Sequence, residues 1–157
     1  MTTVTLPTRV DAEELERKVK ETYTQVALSP EDPFHFEMGR ALARRLGYTD
    51  AELDGAPADA IQSFAGVGYY FDLANLRPGE RVVDLGSGSG MDSFIAAHKV
   101  GRGGEVTGID MTDAQLAKAA ILNPQPVPPP GRRHAASEGV PVRAPAILHT
   151  LYAPAVA

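Results

Sequence analysis

The stretch Val82-Val83-Asp84-Leu85-Gly86-Ser87-Gly88-Ser89-Gly90, answered downstream by Gly108-Ile109-Asp110, decides how this sequence is read. Residues 81–85 form a short apolar, β-branched run bounded by the turn signal Leu76-Arg77-Pro78-Gly79-Glu80, and read as a buried strand. Glycines at every second position follow, and then residues 92–100 read as a helix with Phe94, Ile95, Ala97 and Val100 available to pack. Gly101 and the Gly103-Gly104 pair close it. Residues 105–109 read as a second strand. Thr112 is placed to cap a further helix from Asp113, with Leu116, Ala117, Ala120 and Ile121 spaced for one face. Strand, glycine turn, helix, strand, helix is one βαβα unit of a parallel sheet, so the expected fold class is α/β.

Upstream the pattern is helical. Asp11 suits an N-cap, with Glu13 and Glu14 in the first turn, where the helix dipole favours acids. Leu15, Val19, Tyr23 and Val26 share one side, and Pro30 and Pro33 end the segment. A second helix is expected over 34–46, with Phe36, Met38, Leu42 and Leu46 as its stripe and Gly47 as its stop. Short helical turns are expected at 50–53 and 57–64. Gly66 and Gly68 then break the chain before Tyr69-Tyr70-Phe71.

Downstream the text changes character. Eight of the thirteen prolines lie between Pro124 and Pro154, and Glu138 is the one remaining acid there, so no helix or central strand fits Pro124 to Arg133. Residues 146–151 alone are compatible with a turn of helix or a strand. The expected organisation is a helical N-terminal cap region (1–75), a βαβα cofactor-binding unit (76–122) and a Pro/Ala-rich, disordered tail (123–157).

Composition narrows the function. The 157 residues hold 43% hydrophobic and 22% charged residues, as in a globular domain. A net charge of −5 gives no electrostatic reason to expect nucleic acid or an anionic membrane as partner. No apolar run reaches bilayer length and the N-terminus lacks a secretory core, so a cytoplasmic location is expected. Without cysteine there are no disulfides, thiolate metal sites or thiol nucleophiles, and the four scattered histidines suggest no metal site.

A strand running through glycines into a helix lets a ligand approach the backbone beside free helix N–H groups. Three details sharpen that general device. A dinucleotide fingerprint needs its third glycine one position later, where Met91 stands. Asp84, two residues before the first glycine, repels a pyrophosphate but suits S-adenosylmethionine, whose methionine part carries an ammonium and a sulfonium. Asp110, ending the second strand, is placed to accept both ribose hydroxyls, and Met111 to lie against the adenine. Against these stand plainer readings: a flexible Gly-Ser linker, Asp84 as a helix cap and Asp110 as a turn residue. A nicotinamide-dependent oxidoreductase is the weaker enzyme reading, on the glycine spacing.

Residues 17–119 resemble the arsenite methyltransferase-like class I S-adenosylmethionine methyltransferases, relatives of the quinone C-methyltransferases. The matching pieces are FHFEMGRALARRLGY, SFAGVG, LRPGERVVDLGSGSGMDSFIAAHKVG and GEVTGIDMT. The resemblance implies a Rossmann-like fold, transfer of a methyl group to a small-molecule acceptor, and a cofactor site lined by Asp84, Gly86, Ser87, Gly88, Gly90, Asp110 and Met111. It implies a helical region closing over the cofactor, with Tyr69 and Tyr70 facing the ligand or packing under the cap. Two departures stand out. Ser93 occupies a position where arsenic enzymes often carry a cysteine, and a hydroxyl is a poor ligand for a thiophilic centre. The resemblance also stops after Lys118-Ala119, so only the first two strands of a seven-stranded sheet are expected. The tail reads like GC-rich sequence translated out of frame. The competing expectation is therefore a non-catalytic, truncated or frameshifted remnant with an incomplete parallel sheet, self-associating through its open edges.

Overall fold

The structure, a computed structural model, describes residues 11–123 and 149–152. Seven helices and three strands are found there: α1 (Ala12–Leu28), α2 (Gly39–Leu46), α3 (Asp50–Asp54), α4 (Ala58–Gln62), α5 (Phe71–Ala74), β1 (Arg81–Leu85), α6 (Met91–Val100), β2 (Glu105–Ile109), α7 (Asp113–Leu122) and β3 (His149–Tyr152). β1 and β2 pair in parallel, with Asp84 beside Gly108 and Leu85 beside Ile109. The strand–helix–strand–helix order expected over 81–122 is what forms.

The start of α1 obeys its capping signal: Asp11 Oδ1 accepts the N–H groups of Glu13 and Glu14, at 3.1 and 3.2 Å. Its N-terminal half lies in solvent, laced by the i,i+4 pairs Glu14–Lys18, Glu16–Lys20 and Arg17–Glu21. Only Val26 and Ala27 at its C-terminal end are buried. The helix expected over 34–46 begins instead at Gly39, whose φ of +73° and N–H bond to Phe64 O turn the chain. Phe34, His35 and Phe36 cluster in the preceding loop, with Tyr23 of α1 against Phe36. Their apparent helical spacing reflects this aromatic cluster.

One core holds the halves together. Leu42, Ala43, Tyr48, Leu53, Ala60, Ile61 and Phe64 pack against Met91 and Ile95 of α6. The opposite side of α6 packs on the sheet through Ala96, Ala97 and Val100 against Val106. A helix apolar on both sides is one that is covered on both sides, which explains the run Phe94–Ala97.

Three expectations change. β1 is an edge strand among the described residues, in the order β1-β2-β3, and one of its faces is bare: Val83 is 60% and Leu85 77% exposed. Its apolar run suggests burial on both faces, but composition cannot tell a covered face from an uncovered one. α7 buries Gln115, Leu116 and Ala119 and leaves Ala117 and Ile121 outside, because it packs on α1 and α4. Finally, residues 149–152, within the expected tail, form β3 and add an antiparallel strand beside the expected parallel pair of β1 and β2. The physical reason is the open edge of β2, which offers unpaired N–H and C=O groups to a proline-free, β-prone His-Thr-Leu-Tyr. The rest of the expected tail, 124–148 and 153–157, lies outside the described residues.

Candidate active site

Parallel strands deliver their carboxyl ends to one edge, and there a cavity of about 530 Å³ opens. The glycine turn forms its floor. Gly86, Gly88 and Gly90 have φ of +77°, +53° and +92°, which L side chains adopt only with strain. Gly86 and Ser87 donate their N–H groups to Ile109 O at 2.7 and 3.0 Å, tying the turn to the end of β2. Gly108 lets it come close: a Cβ there would lie 2.8 Å from Ser87 Oγ and 3.1 Å from Ser93 Oγ. Sequence reading misses that requirement, since an isolated glycine in a strand gives only a weak signal of close approach.

Asp84, Gly86, Ser87, Gly88, Asp110 and Met111 all line this cavity. Gly90 does not line it. It stands at the N-cap of α6, where a Cβ would meet the Phe94 ring at 3.2 Å, so its work is the turn and the packing. Asp110 Oδ2 accepts Gly88 N–H at 2.9 Å and its Oδ1 accepts Thr112 N–H at 2.8 Å. Thr112, expected to cap α7, makes no side-chain cap bond; Asp110 instead holds the N–H of that N-cap residue. Asp110 is thus a turn residue and a cavity residue together.

Asp84 does not cap α6 through a backbone N–H. Its Oδ2 accepts the hydroxyl of Ser93 at 2.6 Å. Burial raises its carboxyl above the usual carboxylate range, opposed by Ser93 and reinforced by the nearby Asp110 charge. Ser93 itself is buried beneath Gly108 and does not reach the cavity.

Asp92 is a site residue that sequence reading passes over as a helix start. It lines the cavity, and its Oδ1 accepts the Tyr48 hydroxyl at 2.7 Å. Burial pushes its carboxyl up to about 6, with Asp84 and Glu52 adding to the shift and the Tyr48 bond opposing it. Burial likewise raises the Tyr48 hydroxyl far above the ordinary phenol range, with Asp92 reinforcing it, so Tyr48 remains a donor. The one available signal is a carboxylate two residues beyond the last glycine of the turn.

The roof comes from the segment between α4 and α5. Phe64, Ala65, Gly66, Val67 and Gly68 face the cavity, and so does Tyr70. Tyr69 faces the other way, edge-on to Tyr48, with its hydroxyl on Glu52 Oε1 at 2.8 Å. Lys99 bonds the same oxygen at 2.6 Å. Burial would raise Glu52, but Lys99, the Thr49 N–H and the Tyr69 hydroxyl together hold it down at about 2. One wall is pinned by Gln115, 2% exposed, which accepts the Ser89 hydroxyl and donates to Tyr23 O of α1 at 3.1 Å. Lys118 of α7 bonds Ala27 O and Ser63 Oγ at 3.2 and 2.7 Å, joining α1, α4 and α7.

A family model described as a methyltransferase domain matches residues 76–125, the unit that builds the floor. The segment 76–125 is similar to that methyltransferase-domain family. Among similar proteins, an arsenite methyltransferase of Halobacterium salinarum is 37% identical over 123 residues, covering 69% of this chain and 31% of the relative. The nocamycin O-methyltransferase of Saccharothrix syringae is 43% identical over 49 residues, 31% of this chain and 18% of the relative. A solved structure of CrArsM, an arsenic(III) S-adenosylmethionine methyltransferase from Chlamydomonas reinhardtii, aligns with 46% of this chain and 24% of that chain at 43% identity and a TM-score of 0.39. The match thus spans about a third of the Halobacterium relative's length.

No helix among the described residues is long and apolar enough to cross a membrane. No group of three or more metal-ligating side chains is found among them either.

Proposed function

We propose that this chain binds S-adenosylmethionine in the cavity above the glycine turn and acts within an arsenite methyltransferase-like enzyme that methylates a small molecule. The observation that carries this reading is the charge of the lining. Asp84, Asp92 and Asp110 face the cavity, and no Lys, Arg or His among the described residues does. Such a lining opposes the pyrophosphate of a dinucleotide and favours a ligand with positive groups.

The residues present fit that cofactor. Asp84 and Asp92 supply negative charge at the α6 end. α6 begins without a side-chain cap, leaving first-turn N–H groups for a carboxylate. Asp110 keeps lone pairs for ribose hydroxyls beyond the two N–H groups it already holds. Ile109 and Met111 offer apolar contact for the base. Gly86 and Gly88 allow backbone approach, and Ser87 lines the same turn. The bound cofactor supplies a methyl group already activated on sulfonium, so the protein's task is positioning and exclusion of water. The roof from Phe64 to Gly68, with Tyr70, is the part suited to excluding it.

The proposed acceptor is a small organic nucleophile. These 157 residues supply no thiolate for a thiophilic metalloid, and Ser93 is buried away from the cavity. A cytoplasmic setting, without nucleic acid or membrane as partner, belongs to the same proposal. Titration calorimetry of the 157-residue chain with S-adenosylmethionine, S-adenosylhomocysteine and NAD tests it. Binding of the first two and not the third is expected. Binding of NAD alone, or of none at millimolar concentration, overturns it.

A further inference from the structure

The two carboxylates nearest α6 are held differently. Asp84 is tied within its own unit, to Ser93. Asp92 is tied across the molecule, to the hydroxyl of Tyr48 in the segment between α2 and α3, which packs edge-on to Phe64 and Tyr69. Asp92 accepts that single hydrogen bond among the described residues, and it borders a cavity lined by no basic side chain among them. A largely buried carboxylate with one hydrogen bond and no cation is a costly arrangement. It becomes favourable once a positive group enters the cavity beside it.

We propose that Asp92, positioned by Tyr48, is a specificity-determining residue that selects the positively charged amino-acid end of the ligand. This rests on the cofactor reading above and assigns within it a residue that the glycine-turn motif does not include. Because Tyr48 belongs to the helical region and Asp92 to the methyltransferase segment, the contact also ties the seating of that region to the ligand's charged end.

Three probes sharing an adenosine part separate the contributions. S-adenosylmethionine carries an ammonium and a sulfonium, S-adenosylhomocysteine the ammonium alone, and 5′-methylthioadenosine neither. In Asp92→Asn, affinity for the first two is expected to fall about tenfold or more, the scale of one charge-assisted hydrogen bond, while 5′-methylthioadenosine binds as before. In the unsubstituted chain, affinity for S-adenosylmethionine should fall as pH drops through about 6, where the carboxyl protonates. Tyr48, Asp84 and Glu52 are the ionisable groups that face Asp92, and the dependence should be absent in Asp92→Asn. Tyr48→Phe, which removes the bond that holds the Asp92 carboxyl down, should move that midpoint upward and serves as the test if Asp92→Asn does not fold.

Unchanged affinity for S-adenosylmethionine in folded Asp92→Asn overturns the proposal, as does an equal loss for all three probes, which marks a merely structural role. For Tyr48→Phe, an unmoved midpoint overturns it. An unsubstituted chain that binds none of the three overturns the cofactor reading along with it, and that outcome is distinct from binding that is indifferent to Asp92.

Discussion

Asp110 meets two backbone N–H groups, one from the glycine turn and one from the start of α7, so one carboxylate sets both sides of the cavity mouth. Asp110→Ala is expected to abolish measurable S-adenosylmethionine binding by calorimetry. It should also cost about 2–4 kcal/mol in urea unfolding, as two hydrogen bonds to a charged group are lost. Asp92 predicts the opposite sign for stability. Its carboxyl lies at about 6 in the folded chain against 3.8 ordinarily, so the folded state binds more protons between those values. Stability contributed there is present in acid and is lost as pH rises through about 6. Asp92→Asn should therefore be more stable than the parent at pH 7.5, by up to about 3 kcal/mol, with the gap closing below about pH 4. Thermal melts across that range read it directly. Glu52 runs the other way, its contribution present above 4.5 and lost as pH falls towards about 2.

At the scale of elements, two glycines that look alike in the text carry different loads. At Gly86 a Cβ would have nothing within 4 Å, so Gly86→Ala meets only the cost of its φ of +77°, about 1–2 kcal/mol. Gly108 has ordinary backbone, yet Gly108→Ala would drive a methyl group into Ser87 and Ser93. Overpacking of this kind costs about 1–3 kcal/mol, and the displaced turn should lose cofactor affinity as well. Comparing unfolding free energy and affinity for the pair distinguishes the two causes. Gln115 makes a further element-scale case. Gln115→Leu keeps the volume but leaves Ser89 and Tyr23 O without their partner, so about 1–3 kcal/mol of stability is expected to go with the link between α1 and α7.

For the molecule as a whole, the bare face of β1 matters most. Among the described residues, Val83 and Leu85 stand in solvent on an edge strand, the arrangement that natural sheets usually cover or charge. We expect the chain to self-associate through this edge. Sedimentation velocity should show weight-average mass rising with concentration, and Val83→Lys should suppress it; a monomer at all concentrations would refute the expectation.

Local architecture at the cavity floor is written in the residues themselves. Alternating glycines, β-branched runs and the acids at two strand ends are statements about backbone conformation within a few residues, so β1, α6, β2 and the places of Asp84 and Asp110 are legible there. The start of α1 is legible for the same reason. Whatever depends on separated segments meeting is settled by packing instead. Tyr48 and Asp92 lie 44 positions apart, and Gln115 and Tyr23 92 apart, with no periodicity to announce either pairing. Which face of α7 is buried, which face of β1 is bare, and which tyrosine faces the cavity all follow from packing partners. A hydrophobic pattern says that a surface is to be covered, and only the assembled chain says by what.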